Sequence, residues 1–145
     1  MLVARRERKV EWGDCDPAKI VYNPRFFDWF DNCTGGLLEA AGFHKAWLFE
    51  NLDFTGIPLV ESRARFMKPS RFGDLVVIET QAIDIRRSSF DIRHQLFNGG
   101  ELAMDKFVYD EETSKMLGEF IFSGLLVKFD AVQADEEING AMWVS

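Results

Sequence analysis

Two aspartates, Asp14 and Asp16, stand shortly before the predicted start of a helix at Asn23. The first turn of a helix has unpaired backbone N–H groups and about half a unit of positive charge, so it stabilises an anion or a polarised carbonyl. A carboxylate beside such amides supplies an attacking group or base together with donors for a developing oxyanion, as acyl transfer requires. Aspartates also form turn hydrogen bonds, and the two-residue spacing leaves both interpretations open.

The helix that would present these amides is clearly marked in the sequence. Asn23 followed by Pro24 is a typical helix start, and Gly42 is a typical C-terminal stop. Between them, apolar residues recur at steps of three and four, as on one buried stripe: Phe26, Phe27, Phe30, Leu37, Leu38 and Ala41. The pattern predicts a helix of about eighteen residues, roughly 27 Å long. A second, shorter helix is predicted over 45–51.

Most of the remaining chain has strand patterns. Residues 90–97 alternate apolar and polar side chains, which is typical of a half-buried antiparallel strand, and Asn98-Gly99 predicts a two-residue hairpin turn. The full set of predicted strands is 3–12, 57–67, 75–85, 90–97, 102–109 and 116–129. The sequence therefore predicts an antiparallel sheet curled around one long helix, with weaker signals in the tail from about Asp130.

The composition limits the class of protein. The 145 residues contain 47% apolar residues and carry a formal net charge of -7, which indicates a single domain over 1–145 and argues against a nucleic-acid partner. No apolar run approaches the roughly 20 residues of a membrane span, and no secretory signal is apparent at the N-terminus. Cys15 and Cys33 form no metal or disulfide pattern, so two reduced thiols and a cytoplasmic location are expected.

One stretch of the sequence is similar to a known family. The residues 13–18, followed by Val21-Tyr22 and Phe26, and later Arg86-Arg87-x-Ser89-Phe90, resemble the hotdog-fold acyl-CoA thioesterases, in particular the 4-hydroxybenzoyl-CoA thioesterase branch. The resemblance extends to about Phe129. It implies an α+β hotdog fold, with a curled antiparallel sheet of five to six strands around one long central helix. It also implies a homodimer or homotetramer whose acyl pockets use residues of two subunits.

The resemblance assigns roles to several residues. Asp16 would be the nucleophile or the general base, and the backbone N–H of Asn23 would polarise the thioester carbonyl. Tyr22 occupies a motif position that makes it a candidate substrate contact. Asp31 stands where the 4-hydroxybenzoyl enzymes meet the hydroxyl of the acyl ring, although a solvent-facing helix carboxylate is an equally good interpretation.

Two further features concern the coenzyme A part of such a substrate. Arg86 and Arg87 are candidates to bind its phosphates, with solvated surface charges as the alternative. Lys19 stands where members of the family usually have glycine, and it would be strained if the backbone φ there is positive.

The expected function is therefore hydrolysis of an aromatic acyl-CoA to the free acid and coenzyme A, with no separate cofactor and no metal. A short- or medium-chain aliphatic acyl-CoA thioesterase and a non-catalytic acyl-CoA-binding protein remain alternatives. Enoyl-CoA hydration on the same fold is disfavoured because no histidine precedes His44. Catalysis by Cys15 is disfavoured because nothing near it in sequence would lower its pKa.

Overall fold

A computed structural model describes residues 1–51, 59–110 and 128–129. Its two α-helices are α1 (Asn23–Ala40) and α2 (Lys45–Asn51). Its five strands are β1 (Ala4–Lys9), β2 (Leu59–Phe66), β3 (Leu75–Ile83), β4 (Asp91–Asn98) and β5 (Glu101–Asp110). Residues 116–127 of the strand predicted over 116–129, and the tail from 130, lie outside the described residues.

The five strands form one antiparallel sheet in the order β1-β3-β4-β5-β2. Residues directly opposite each other point to the same face, so the pairing of His94 with Lys106 and of Leu96 with Met104 places all four side chains on one face. That face is the one covered by α1, since Phe30 of the helix stacks on His94.

The long helix packs mainly against β1, β3 and β4. Its buried residues follow the predicted apolar stripe and include Phe26, Phe30 and Leu37, whereas Phe27 is 40% exposed at the side of the stripe. Together with apolar side chains from the sheet they form the core. The predicted architecture, an antiparallel sheet curled around a single long helix, is confirmed.

The hairpin between β4 and β5 differs by one residue from the prediction. Asn98 pairs with Glu101, so the two turn residues are Gly99 and Gly100, with φ of 62° and 79°. A two-residue turn with positive φ at both positions favours glycine. The Asn98 side chain instead donates to a carboxylate oxygen of Asp74 at 2.8 Å, which keeps Asn98 in the strand.

The ends of the first and last predicted strands also differ from the structure. The first strand ends at Lys9, and Trp12–Asp14 forms a short 3-10 helix in which the Asp14 side chain accepts the Glu11 N–H. Near the other end, Lys128 and Phe129 have helical rather than extended backbone. The Phe129 carbonyl accepts the Leu2 N–H, and its ring packs edge-on against Phe90. In the described part of the chain, no helix is long and apolar enough to cross a membrane.

Candidate active site

The loop before α1 is held as a narrow turn. Cys15 and Val21 form an antiparallel bridge, the Asp16 N–H donates to the Ile20 carbonyl at 2.9 Å, and the Lys19 N–H donates to the Asp16 carbonyl at 2.9 Å. Lys19 has a φ of 66°. Lys19 therefore does occupy the left-handed conformation that glycine adopts more easily, at a modest backbone cost.

Asp14 has a structural role in the loop before α1. Its side chain is buried, one carboxylate oxygen accepts the Glu11 N–H at 2.9 Å, and the other lies 3.6 Å from the Arg8 guanidinium. Its backbone carbonyl also accepts the Tyr22 N–H at 2.8 Å. Asp14 thus anchors the loop on both of its sides and orients the residue that precedes α1.

Asp16 is held in place but keeps one carboxylate oxygen available. Oδ1 accepts the Ala18 N–H at 2.8 Å, which is the short side-chain-to-backbone bond common for aspartate in turns. Oδ2 makes no hydrogen bond or ion pair with any residue that the structure describes. The half-buried side chain is therefore fixed by one oxygen while the other can act on a bound group.

The start of α1 offers an unpaired amide. Asn23 is the first helical residue and Pro24, which follows it, has no N–H to offer. Within residues 1–51, 59–110 and 128–129, no acceptor binds the Asn23 N–H, whereas the next amide, that of Arg25, donates to the Tyr22 carbonyl at 2.8 Å. The Asn23 N–H, at the positive end of the helix, is thus suited to bind a carbonyl oxygen.

This amide borders a cavity of about 330 Å³ between the start of α1 and strands β2 and β5. Most of its lining is apolar, including Phe26, Phe66, Leu96 and Met104 beside Asn23. A concave apolar site of this size, with few polar groups, suits a small acyl group. Ile20 and Val21 bring the loop of Asp16 to its rim, although Asp16 itself does not line the cavity.

The two other predicted contacts on or beside the helix also lie outside this lining. Tyr22 is the residue just before α1 and its side chain is 53% exposed. Asp31 is exposed on α1, two turns beyond Asn23. Binding of substrate by Tyr22 and Asp31 stays a prediction.

Arg86 already has a carboxylate partner. Its guanidinium donates to both carboxylate oxygens of the buried Asp91, at 2.9 and 2.6 Å, and to the Ser89 hydroxyl at 2.8 Å. These bonds fasten the turn between β3 and β4, a role that the sequence analysis did not foresee. Arg87 is exposed. Phosphate binding by Arg86 and Arg87 stays a prediction.

Cys15 is unsuited to nucleophilic attack. Burial, together with the negative charges of Asp14 and Asp16, raises the pKa of its thiol above the ordinary value. The thiolate, which is the reactive form, is therefore disfavoured at neutral pH.

Two residues that the sequence analysis did not place in a site lie beneath α1. Lys106 is only 6% exposed, and its Nζ lies 4.5 Å from the ring centre of Phe27 and 5.4 Å from that of Phe30. His94, opposite Lys106 in the sheet, is 1% exposed and hydrogen-bonds Thr80 at 2.8 Å. A signal was present, because Met104, Lys106 and Val108 alternate on one face of β5 and put a lysine among apolar positions.

Comparison with known proteins identifies the family. The sequence model described as thioesterase-like superfamily matches residues 10–118. The chain belongs to this superfamily, as its motif predicts.

Named relatives include the 4-hydroxybenzoyl-CoA thioesterase of Pseudomonas sp. (strain CBS-3). It is 32% identical over 92 residues, which cover 62% of this chain and 64% of that enzyme. The 1,4-dihydroxy-2-naphthoyl-CoA hydrolase of Crocosphaera subtropica is 28% identical over 101 residues, which cover 70% of this chain and 72% of that enzyme. The match thus spans slightly less than two thirds of the Pseudomonas enzyme.

Solved structures agree with the family. The structure of the Pseudomonas 4-hydroxybenzoyl-CoA thioesterase has a TM-score of 0.66 and 29% identity, and the match covers 73% of this chain and 81% of that chain. A gentisyl-coenzyme A thioesterase has the same TM-score at 28% identity, with coverage of 72% and 83%. The hotdog fold predicted from the motif is thereby confirmed.

Proposed function

We propose that this protein hydrolyses an aromatic acyl-CoA thioester to the free acid and coenzyme A. The observation that carries the proposal is the N–H of Asn23 at the positive end of α1, which has no acceptor among the described residues. It lies on the wall of an apolar cavity whose rim is formed by the loop of Asp16. The named thioesterase relatives support the same reaction.

In the proposed reaction the thioester carbonyl oxygen accepts the Asn23 N–H, which stabilises the negative charge that develops as the carbon is attacked. In one route Asp16 attacks that carbon, the C–S bond breaks, coenzyme A leaves as the thiolate, and water hydrolyses the resulting mixed anhydride. In the other route Asp16 removes a proton from water, the water oxygen attacks the same carbon, and the C–S bond then breaks so that coenzyme A leaves as the thiolate. Both roles of Asp16 agree with a carboxylate whose second oxygen accepts no hydrogen bond within the described part of the chain.

An aromatic acyl group is supported by two independent observations. The cavity is lined by phenylalanine and other apolar side chains, against which a flat ring packs well. The names of the relatives above specify hydroxylated aromatic acyl groups. A short- or medium-chain aliphatic thioester is the alternative substrate. The relative rates of hydrolysis of aromatic and aliphatic esters distinguish the two.

A homodimer or homotetramer and a cytoplasmic location belong to the same proposal. Within the described sheet β2 is the terminal strand, and Phe66 and Met67 at its end are 54% and 45% exposed beside the cavity. A second subunit that covered them would complete the cavity wall.

Phosphate binding by Arg87, and by Arg86 if it exchanges its carboxylate partner, remains part of the proposal.

The test is a thiol-release assay on benzoyl-, 4-hydroxybenzoyl-, phenylacetyl- and short aliphatic acyl-CoA esters. We expect the aromatic esters to be hydrolysed fastest and Asp16→Asn to reduce kcat by about a thousandfold, because the nucleophile or base is lost. Asp28→Asn is the matched control, since Asp28 is an exposed carboxylate on α1 that forms a 3.7 Å ion pair with Arg25.

Three results would each contradict part of the proposal. Equal rates on aliphatic esters would exclude aromatic selectivity, and near-normal turnover by a folded Asp16→Asn variant would exclude the catalytic assignment. Tight binding of every ester without thiol release would instead show a non-catalytic acyl-CoA-binding protein.

A further inference from the structure

The cavity has a buried hydroxyl group in its wall. Ser70 lines the cavity together with Val21 and Asn23, and it is only 1% exposed. Its hydroxyl oxygen accepts a hydrogen bond from the side-chain nitrogen of Asn98 at 3.3 Å. A serine hydroxyl also has one proton to donate, and within the described ranges no acceptor takes the proton of Ser70. The mostly apolar wall therefore contains a donor that is available to a bound molecule.

The direction of the bond between Asn98 and Ser70 is fixed by Asp74. The Asn98 side-chain nitrogen also donates to a carboxylate oxygen of Asp74 at 2.8 Å. Hydrogen bonds from this side chain and from the Arg71 backbone lower the pKa of Asp74, so its carboxylate is charged at neutral pH and can only accept. The amide nitrogen of Asn98 therefore donates one hydrogen to Asp74 and the other to Ser70. The proton of the Ser70 hydroxyl must point elsewhere.

Ser70 lies beside the segment that leads to the Asn23 amide. Ile20 and Arg71 form an antiparallel bridge. The next residue, Val21, donates its N–H to the Ser70 carbonyl at 2.9 Å, so Val21 and Ser70 lie opposite each other. Opposite residues point to the same face, and here both line the cavity, two residues before Asn23.

The Asn23 N–H is directed to the side on which Ser70 lies. Successive N–H groups of an extended chain point to opposite sides. The Val21 N–H points towards Ser70, and the Tyr22 N–H points the other way, to the Asp14 carbonyl. Because Tyr22 is extended, with φ of -67° and ψ of 121°, the Asn23 N–H points to the same side as the Val21 N–H. An oxygen bound to the Asn23 N–H therefore lies on the Ser70 side of this segment.

That oxygen needs a further donor. The two residues after Asn23 do not supply one, since Pro24 has no N–H and the Arg25 N–H donates to the Tyr22 carbonyl. Lys68 also lines the cavity, but its ammonium already donates to the Glu101 carboxylate at 3.3 Å. Sites that stabilise an oxyanion use several preorganised donors, and serine side chains are among them.

Resting on the proposed function, we propose that Ser70 is a catalytic residue whose hydroxyl donates a second hydrogen bond to the thioester oxygen, beside that of the Asn23 N–H. When the carbon is attacked, the π electrons of the C=O bond move to this oxygen, and the two donors stabilise the negative charge. The C=O bond forms again as the C–S bond breaks, and Ser70 keeps its proton throughout. Asn98 and Asp74 are positioning residues that hold the hydroxyl.

The experiment measures kcat and KM of Ser70→Ala on aromatic and aliphatic acyl-CoA esters by thiol release. The bond to Ser70 strengthens as charge develops on the oxygen. We therefore expect kcat to fall by about 100-fold on every ester that the wild type hydrolyses, with little change in KM. Ser88→Ala is the matched control, because Ser88 is an exposed serine between β3 and β4, and it should leave both constants unchanged.

A second variant guards against a loss of folding. Ser70→Ala leaves one hydrogen of the Asn98 amide without its acceptor, which lowers stability. Ser70→Cys keeps nearly the same shape, and its thiol is only a weak donor, so kcat should fall in this variant as well. Thermal unfolding shows which variants are folded at the assay temperature.

The outcomes separate the inference from the function on which it rests. Wild-type kcat in a folded Ser70→Ala or Ser70→Cys variant would show that the hydroxyl does not bind the thioester oxygen. A raised KM with unchanged kcat, or a loss confined to esters with a ring hydroxyl, would also overturn the inference, because Ser70 would then contact another part of the substrate. If the wild type hydrolyses no ester, the proposed function itself fails.

Discussion

Asp14 and Asp16 are two residues apart and have the same side chain, but the structure gives them different tasks. Asp14 has both carboxylate oxygens near donors, the Glu11 N–H and the Arg8 guanidinium, so its loss would loosen the loop. One oxygen of Asp16 accepts the Ala18 N–H, and the other accepts no hydrogen bond from any residue that the structure describes. A carboxylate held by one oxygen has a defined position and still an unpaired oxygen for chemistry, which is why the catalytic assignment favours Asp16.

The role proposed for Asn23 belongs to its backbone and not to its side chain. Asn23→Ala should therefore retain most of the activity, since the N–H stays in place. Asn23→Pro removes that N–H at the first helical position, which tolerates proline, and should lower kcat/KM by about 100- to 1,000-fold. Steady-state kinetics of both variants on the best thioester checks this.

Thermal unfolding of the two Asn23 variants serves as the control for folding. If Asn23→Pro folds like the wild type and turns over at the wild-type rate, the amide does not polarise the carbonyl. If Asn23→Ala is as damaged as Asn23→Pro, the side chain and not the backbone is responsible.

At the scale of elements, α1 is joined to the sheet by a buried polar contact within an otherwise apolar interface. The ring of His94 on β4 bonds the hydroxyl of Thr80 on β3 at 2.8 Å and contacts that of Thr34 on α1 at 3.4 Å, and it stacks on Phe30. The helix is thereby fixed in both position and rotation over the central strands. This matters for the site because the orientation of Asn23 depends on the orientation of the whole helix.

The buried histidine makes stability depend on pH. Burial and the charge of Lys106 lower the pKa of His94 to about 3, against an ordinary value of 6.5. Between these values the unfolded chain binds a proton that the folded chain does not, so the free energy of unfolding falls as pH falls, by roughly 1.4 kcal/mol per pH unit. Above about pH 6.5, the ordinary pKa of histidine, neither the folded nor the unfolded chain binds this proton, and His94 no longer makes the free energy of unfolding depend on pH.

We expect His94→Gln to reduce that slope between about pH 6.5 and about pH 4.5 by roughly 1 kcal/mol per pH unit. Urea unfolding at several pH values measures how the free energy of unfolding changes with pH. Comparing this slope between variant and wild type cancels any overall destabilisation by the substitution. His44→Gln is the control, because His44 is the other histidine and is exposed on the surface. An unchanged slope in His94→Gln would mean that His94 is protonated in the folded protein.

At the scale of the whole molecule, the described sheet has an open side. The helix α1 lies mainly over β1, β3 and β4, and it packs less closely on β5 and the terminal strand β2. Phe66 and Met67, which line the cavity, and Phe27 of α1 are all at least 40% exposed. An apolar rim of this kind around a binding cavity is typical of a surface that a partner covers.

We therefore predict that the protein has a molar mass of at least twice the 16.7 kDa of one chain in solution. Sedimentation or light scattering measures the mass, and dilution below the dissociation range should lower the specific activity as the cavity loses a wall. Asp16→Asn should have the same mass as the wild type, since it alters chemistry and not the interface. A fully active monomer would contradict the prediction.

Much of the fold was predictable because it is encoded locally. The helix start at Asn23-Pro24, the period of its apolar stripe and the alternation in β4 each depend on residues near one another in the chain, and all three are found in the structure. The carboxylate loop before the helix was equally visible as a motif, and its φ of 66° at Lys19 follows from the turn that the motif makes.

Tertiary structure alone decided which polar groups are satisfied. The bond of Arg86 to Asp91, the choice of Gly99-Gly100 over Asn98-Gly99 as the turn, and the burial of His94 beside Lys106 all depend on cross-strand register and on helix packing. These contacts join residues that are adjacent only after folding, and a one-residue change of register would move every side chain of a strand to the opposite face. The sequence by itself therefore determined the elements and the candidate carboxylate, whereas packing determined which carboxylate is available and which polar side chains are buried.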